Sequence, residues 1–459
     1  MVVFLNSRRI EGRGTLMHLT RDLAVFEVYN PYSIVQLSEV LSDFRIIRGE
    51  RTIYSGRAVA TSIVTTGLMI IVSATLIDPW SDLAGVAPGE GLREEVEGFV
   101  RDWDENYTLV PDYELSVSKI SSFLSELSRW LDHLEMGVQK GEVDPEMAHS
   151  EEFLAEVRDG VLPKMNDLFV GLEEQAQKIP SEVAVVHKAF TRRQLHPLIL
   201  RSPFVHRTFT KPLGYAGDYE MVNMILRDPA EGPTTYAKIL NCWYLATAPA
   251  EAHRNRIAML VELLGGVVKQ AAAAGRELRV LNVGCGPAGE VQRLITSGSL
   301  AGQCEFHLLD FNEETLDHAR AQIDAACGQG TTRPKIEYVH KSIHQLLKEA
   351  TGRRGTPEAK YDMVYCAGLF DYLSDRICER LLKLYWGWTL PGGMIIATNV
   401  HTRNPFRHFM EHVLEWYLEH RDERTMRDLA PDQADAEVTT DPTGVNVFLK
   451  IRKADKGNA

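Results

Sequence analysis

No two of the six cysteines in this 459-residue chain are spaced as a CxxC pair. Cys242, Cys285, Cys304, Cys327, Cys366 and Cys378 are scattered, so neither a zinc ribbon nor a redox dithiol is written into the sequence. The chain is long enough to build a real core without cross-links, and reduced thiols in a cytoplasmic protein are expected. Basic charge is in deficit. Fifty Lys and Arg against 63 Asp and Glu leave a net charge of −13, which argues against nucleic acid as a partner. A membrane-spanning run is also missing. The most apolar window, Thr61–Ile77, is rich in Thr, Ser and β-branched residues and is interrupted by Gly67. A spanning helix needs about 20 mostly apolar residues, so two strands around a turn are predicted here instead. The N-terminus, MVVFLNSRRI, has no charged segment followed by an apolar run and a cleavage site, and no signal peptide is expected.

What is present falls into three stretches. Residues 1–90 carry β-branched residues in partial alternation, separated by Gly, Asn and Pro, which predicts a small β-barrel or sandwich. A short helix within Tyr32–Phe44 is the exception. Residues 91–195 show apolar residues at helical spacing, with Ile120, Phe123, Leu124, Leu127 and Leu131 as one stripe. A helical linker or bundle is expected, with that stripe in a core or interface. In residues 196–459 short apolar strands alternate with helices. LRVLNVGCG, CEFHLLDF, KIEYVHKS, YDMVYCAGLF and GGMIIATNV are the strands, and the pattern predicts a doubly wound α/β sheet.

The chemistry is carried by Gly284-x-Gly286-x-x-Gly289, directly after a strand and before a helix. Such glycines let the backbone approach a ligand without side-chain clash, beside a helix N-terminus. Asp310 closes the next strand about 20 residues on, where an acid accepts hydrogen bonds from ribose hydroxyls. Its competing role is to cap the helix that begins in FNEETL. Taken alone, the glycine motif fits a dinucleotide fold as well as a methyltransferase. Two later features separate them: the LPGG turn before the fifth strand, and the terminal hairpin DAEVTTDPTGVNVFLKIRK.

As a set, these motifs resemble the class I S-adenosylmethionine (SAM) methyltransferases over about Leu195–Lys453. The resemblance implies a Rossmann-like, seven-stranded sheet with an antiparallel last strand, and SAM as cofactor. It would place Gly284, Cys285, Gly286 and Gly289 along the methionine part and Asp310 on the ribose. Phe311 and Asn312 would lie beside the adenine, Ser342 and Ile343 would flank it, and Ala367, Gly368 and Leu369 would close the floor. Asn282 stands where many members carry an acid. A narrower resemblance, through KPLGYAGDYEMVN, NPFRHFMEHVLEWYLEHR and DPTGVNVFLKIRK, is to methyltransferases that make the quorum-sensing signal 3-hydroxypalmitic acid methyl ester. It implies a carboxyl O-methyltransferase for a fatty or hydroxy-fatty acid. An amine or phenol acceptor is the alternative.

Acceptor-side candidates follow the fifth strand, at His401, Arg403 and Asn404, with Asp371 and Tyr372 after the fourth. Arg403 would fork a carboxylate, and His401 would orient or deprotonate an acceptor. A helix over Phe406–His420 would wall an apolar pocket through Phe409, Val413, Trp416 and Tyr417. The stretch TKPLGYAGDYEMVN reads as a lid in which Tyr215, Gly217, Asp218 and Tyr219 touch the cofactor, Tyr215 also meeting the acceptor. Asp218 has a second possible role as the cap of YEMVNMIL. His408-x-x-Glu411-His412 matches a zinc-peptidase signature. It follows a methyltransferase strand, so no metal is expected. The N-terminal stretch resembles a PilZ barrel, and Arg9-x-x-x-Arg13 matches that family's clamp for cyclic di-GMP. The partner Asp-x-Ser-x-x-Gly element is absent, the nearest candidate reading His18-Leu19-Thr20-Arg21-Asp22-Leu23. A nucleotide sensor therefore stands against a docking barrel, one that would also serve a homodimer.

Overall fold

The computed structural model describes residues 1–29, 35–48, 51–66, 69–80, 107–148, 150–181, 183–300, 303–329, 333–352, 359–432 and 434–454, with scattered positions between 93 and 103. Six strands at the N-terminus close into a barrel in the order β1-β2-β3-β6-β5-β4. They are β1 (Val2–Leu5), β2 (Glu11–Leu19), β3 (Leu23–Tyr29), β4 (Val40–Arg48), β5 (Arg51–Thr66) and β6 (Met69–Leu76). Phe4, Phe26 and Phe44 fill the interior with ring centroids 5.6–6.3 Å apart. Gly12 makes room for them, because a Cβ there would lie 2.3 Å from the Phe4 ring. Within the apolar window Thr61–Ile77, residues 61–66 of β5 and 69–76 of β6 pair antiparallel, as expected of a two-strand reading, and residues 67–68 lie outside the described residues. The short helix expected within Tyr32–Phe44 is not found where the stretch is described. Val40–Phe44 is the start of β4, because Leu41 and Phe44 point into the barrel. Residues 30–34 lie outside the described residues.

The middle of the chain is helical. The stripe on the helix Pro111–Gln139 buries Ile120, Leu124, Leu127 and Leu131, with Phe123 half-buried. Helices Glu151–Ala176 and Ala184–Ile199 pack against it. The apolar core so formed continues through Trp243 and Tyr244 and takes in Phe406, Phe409, Val413 and Leu414. The helical stretch and the parts flanking the α/β sheet therefore share one interior.

The sheet has seven strands: β7 (Leu278–Val283), β8 (Cys304–Asp310), β9 (Lys335–His340), β10 (Tyr361–Cys366), β11 (Thr389–Val400), β12 (Asp435–Thr440) and β13 (Asn446–Arg452). Their order is β12-β13-β11-β10-β7-β8-β9. β7 to β11 pair in parallel, and only β13 runs against its neighbours. This is the Rossmann-like arrangement with an antiparallel last strand. The strand order reverses at β7, between β8 and β10, and ligands of such sheets bind in the crevice beyond the strand ends at that point. No helix among the described residues is long and apolar enough to cross a membrane.

The barrel sits on the α/β domain. Val40 N donates to Gly214 O at 2.9 Å. Ser38 Oγ donates to Glu415 O at 2.9 Å and accepts from Tyr417 N at 2.5 Å. Beside this contact Lys211 is buried and donates to Leu414 O at 3.2 Å. Burial, with Arg192 nearby, lowers its pKa to about 7 from an ordinary 10.5. Between those values the unfolded chain binds a proton that the folded chain does not, so folding gains stability as pH rises. From about pH 7 to about pH 9 the gain is about 2 kcal/mol. In Lys211→Met the rise in thermal midpoint across that window should be smaller than in the parent protein, by calorimetry at each pH.

Candidate functional site

A cavity opens at the reversal of strand order, with a total empty volume of about 1500 Å³, its mouth included. Its floor is the loop after β7. Gly284 and Gly286 have φ of +72° and +53°, the left-handed region that favours glycine. Ala288 shares it at +53°, immediately before the helix Gly289–Thr296. Gly284 N and Cys285 N both donate to Leu309 O, at 2.8 and 3.0 Å. Asp310 then closes the loop, its two carboxylate oxygens accepting from Gly286 N at 3.1 Å and Asn312 N at 3.0 Å. Burial pushes this carboxyl up, and those N–H groups pull it back. The helix cap that competed for Asp310 is supplied by Asn312, whose Oδ1 accepts from Thr315 N at 3.0 Å. Asp310 is left free to line the cavity.

Asn282, next to the end of β7, lies in the cavity wall. Its Nδ2 donates to Glu290 Oε1 at 2.9 Å, while its buried Oδ1 has no partner among the described residues. Glu290 also accepts from the Tyr365 hydroxyl at 2.6 Å. Burial pushes Glu290 up, against Tyr365 and the Arg256 and Arg293 charges. The acid missing at Asn282 is thus present one strand end away, on the first turn of the next helix.

On the opposite wall the helix Ala248–Ala273 brings His253 and Arg256 to the cavity. Arg256 is 8% exposed, and Arg256 Nη2 donates to a His253 ring nitrogen at 2.9 Å. Burial, with Arg256 and Arg254, keeps His253 well below the usual histidine range, so it is neutral at pH 7. Among the described residues no carboxylate forms an ion pair with Arg256. Asp371, with a pKa raised to about 6 by burial, acts on it at longer range and accepts from Val400 N at 2.7 Å.

Of the expected site residues, Tyr215, Gly217, Tyr219, Gly284, Cys285, Gly286, Gly289, Asp310, Phe311, Ala367, Gly368, Leu369, Asp371, Tyr372 and Asn404 all line this cavity. The Tyr215 and Phe311 rings stand 5.3 Å apart, and the Tyr219 hydroxyl donates to Glu314 at 2.8 Å. Gly217 presses on Tyr372, where a Cβ would come within 2.5 Å of the hydroxyl.

Others lie elsewhere. Asp218 is the helix cap, accepting from Met221 N at 2.8 Å and from Arg207 Nε at 2.9 Å. Ser342 accepts from Gln345 N, and Ile343 packs in the core beneath the sheet. His401 and Arg403 do not line the cavity. Both are taken up by Glu423, at 2.9 and 2.6 Å, on the short helix Glu423–Asp428, which no local pattern brings to this strand end. The helix expected over Phe406–His420 stops at Val413, because Glu415 turns to φ +49° and Trp416 N bonds back to Met410 O. Trp416 nevertheless lines the cavity, with its Nε1 donating to the Tyr372 hydroxyl at 3.0 Å. His412 is bound to the Tyr113 hydroxyl at 2.7 Å and joins no metal-type cluster among the described residues. Arg13 is exposed and paired with Glu11 on its own strand.

Four wall residues come from the barrel: Ser7, Gln36, Leu37 and Glu39. Glu39 is buried and accepts from Ser7 N, Ser7 Oγ and Gln36 N at 2.9, 2.5 and 2.8 Å. Neither these nor His253, Arg256 and Glu290 were expected. A His-x-x-Arg spacing on one helix face is the one local signal for that pair.

Residues 280–393 match the family model described as a methyltransferase domain. No curated protein matches the chain. Solved structures similar to it include a possible exported protein from Bordetella parapertussis, with 16% identity, TM-score 0.42, 68% of this chain and 99% of that one covered. A second is magnesium protoporphyrin IX methyltransferase from Synechocystis PCC 6803 with bound SAH (12%, TM-score 0.35, 58% and 99%). A third is the N-methyltransferase NodS from Bradyrhizobium japonicum WM9 in complex with S-adenosyl-L-homocysteine (13%, TM-score 0.30, 51% and 97%).

Asp218→Ala removes both a helix cap and the partner of a half-buried arginine. Its expected cost is about 1–3 kcal/mol in denaturant unfolding. Asp218→Asn keeps the cap and should lose less.

Proposed function

We propose that the chain transfers a methyl group from S-adenosylmethionine to the carboxylate of a small-molecule acid, with a fatty or hydroxy-fatty acid as the preferred class. The methyltransferase match over residues 280–393 supports the reaction type. The cavity fits the cofactor. Positive-φ glycines let the loop backbone come close to a ligand, and Asn282 Oδ1, without a partner among the described residues, offers acceptors with Glu290 to an ammonium group. Asp310 would hold the ribose, and Phe311 and Tyr215 offer rings to the base. When bound, SAM supplies an electrophilic methyl on sulfur. A carboxylate oxygen held by the wall would take that methyl, and the sulfur would keep the electron pair of the C–S bond.

Arg256 carries the choice of acceptor. It is a buried guanidinium facing the cavity, without an ion-pair partner among the described residues. A buried charge of this kind is costly until an anion meets it, and a carboxylate matches its fork. A carboxylate is already ionised at neutral pH, so the wall needs to orient it and exclude water and has no proton to remove. Neutral His253 fits that role, since it orients Arg256 and brings no competing charge.

Gly368 favours a second reading. A Cβ there would lie 3.0 Å from Arg256 Nη1, which puts the guanidinium against the cofactor side. Arg256 would then hold the carboxylate of SAM itself, and an amine or phenol would be the acceptor, with Asp371 as base. A cyclic-di-GMP sensor built on the barrel remains a separate proposal, answered by calorimetry with that nucleotide.

The test is transfer from labelled SAM into acids, amines and phenols, with products identified by mass. Methyl esters are expected. Arg256→Met should raise the acceptor KM about 10- to 100-fold and leave SAM affinity unchanged. Loss of SAM affinity in that variant would select the second reading. A protein that binds no SAM, or one unaffected by Asp310→Ala with Gly286→Asp, would end both.

A further inference from the structure

A second void, of about 500 Å³ with its opening included, adjoins the first. Pro249, His253, Met410 and Trp416 line both, so the two spaces meet across those four side chains. Beyond them the wall is mostly apolar: Phe204, Ile225, Phe406, Phe409 and Leu414, with Tyr244, whose buried hydroxyl has no partner among the described residues. The hydroxyl of Thr247 is turned back on Tyr244 O at 2.7 Å and presents no free donor. Met410 and Trp416 are fixed in place, the sulfur by Asn404 at 3.4 Å and the indole by Tyr372 at 3.0 Å. Both side chains are therefore held at the junction of the two spaces, and His253, which also lines both, stands one helical turn before Arg256.

We propose that this void receives the apolar tail of the acceptor acid, with the carboxylate at Arg256 and the chain passing Met410 and Trp416. The assignment rests on the carboxylate reading above and adds to it a tail and a limit on tail length. Ala250, on the helix that carries Arg256, lines only the second void and sets its depth with Ile225.

The experiment is calorimetric titration of straight-chain acids, from butanoate to dodecanoate, into the full chain saturated with SAH. Affinity should rise about fourfold per methylene and level off once the void is full. Ala250→Phe should bring the plateau forward by several carbons, so that long acids bind no better than medium ones. Ile225→Ala should move it the other way, which keeps the test alive if the larger side chain disturbs folding. SAH binding shows in each variant that the first cavity is intact. Affinity that ignores chain length, or a plateau unmoved in both variants, overturns the assignment, as does failure of every acid to bind. If the ladder of affinities is present but no acid is methylated, the tail site stands and the carboxyl-methylation reading falls.

Discussion

Asp310 bonds two crossing segments at once. Through Gly286 N it fixes the bend after β7, and through Asn312 N the start of the following helix. Both oxygens are engaged in a place where an unpaired carboxylate would be expensive. The left-handed turns at Gly284 and Gly286, the first turn of the helix that carries Glu290, and the crevice between β8 and β10 all take their position from this closure. The polar wall of the cavity follows from it: Asn282 reaches Glu290 because the loop between them is held tight.

The other wall is assembled by long-range packing. Gly214 has φ +87°, and its space is shared with Ser7, whose side chain a Cβ would meet at 2.8 Å. The loop that carries Tyr215 and Gly217 is thus pinned between barrel and sheet. Ser38 fastens the other side, at the chain reversal that ends the Arg407–Val413 helix. Barrel, the Tyr215 loop and the Trp416 segment together surround the cavity. Leu37 and Glu39 belong to the site as fully as the glycines do.

The sequence was readable where the requirement is local. Glycines before a helix, an acid at the next strand end and a terminal hairpin each depend on near neighbours, and each has the place in the fold that was expected. Tyr215 and Tyr219 were legible for the same reason, since small residues around aromatics mark a loop that must approach something closely. Arg256 was not legible. In EAHRNRIAML it looks like the polar face of an amphipathic helix, and only the tertiary fold buries it. His401 and Arg403 failed the other way. A strand end is where acceptor residues gather, but Glu423 claims both from a distance no local pattern reports. The long helix expected over Phe406–His420 failed at a single residue, Glu415, whose left-handed backbone no propensity favours.

The shared wall also has a thermodynamic meaning. A molecule that touches both the barrel and the glycine loop stabilises the contact between them by the same free energy with which that contact strengthens its own binding. The hydrogen bond from Val40 to Gly214 is therefore part of the affinity of the site, although it touches no ligand. Whatever loosens the barrel from the sheet weakens binding in equal measure, and whatever fills the cavity holds the two halves of the protein together.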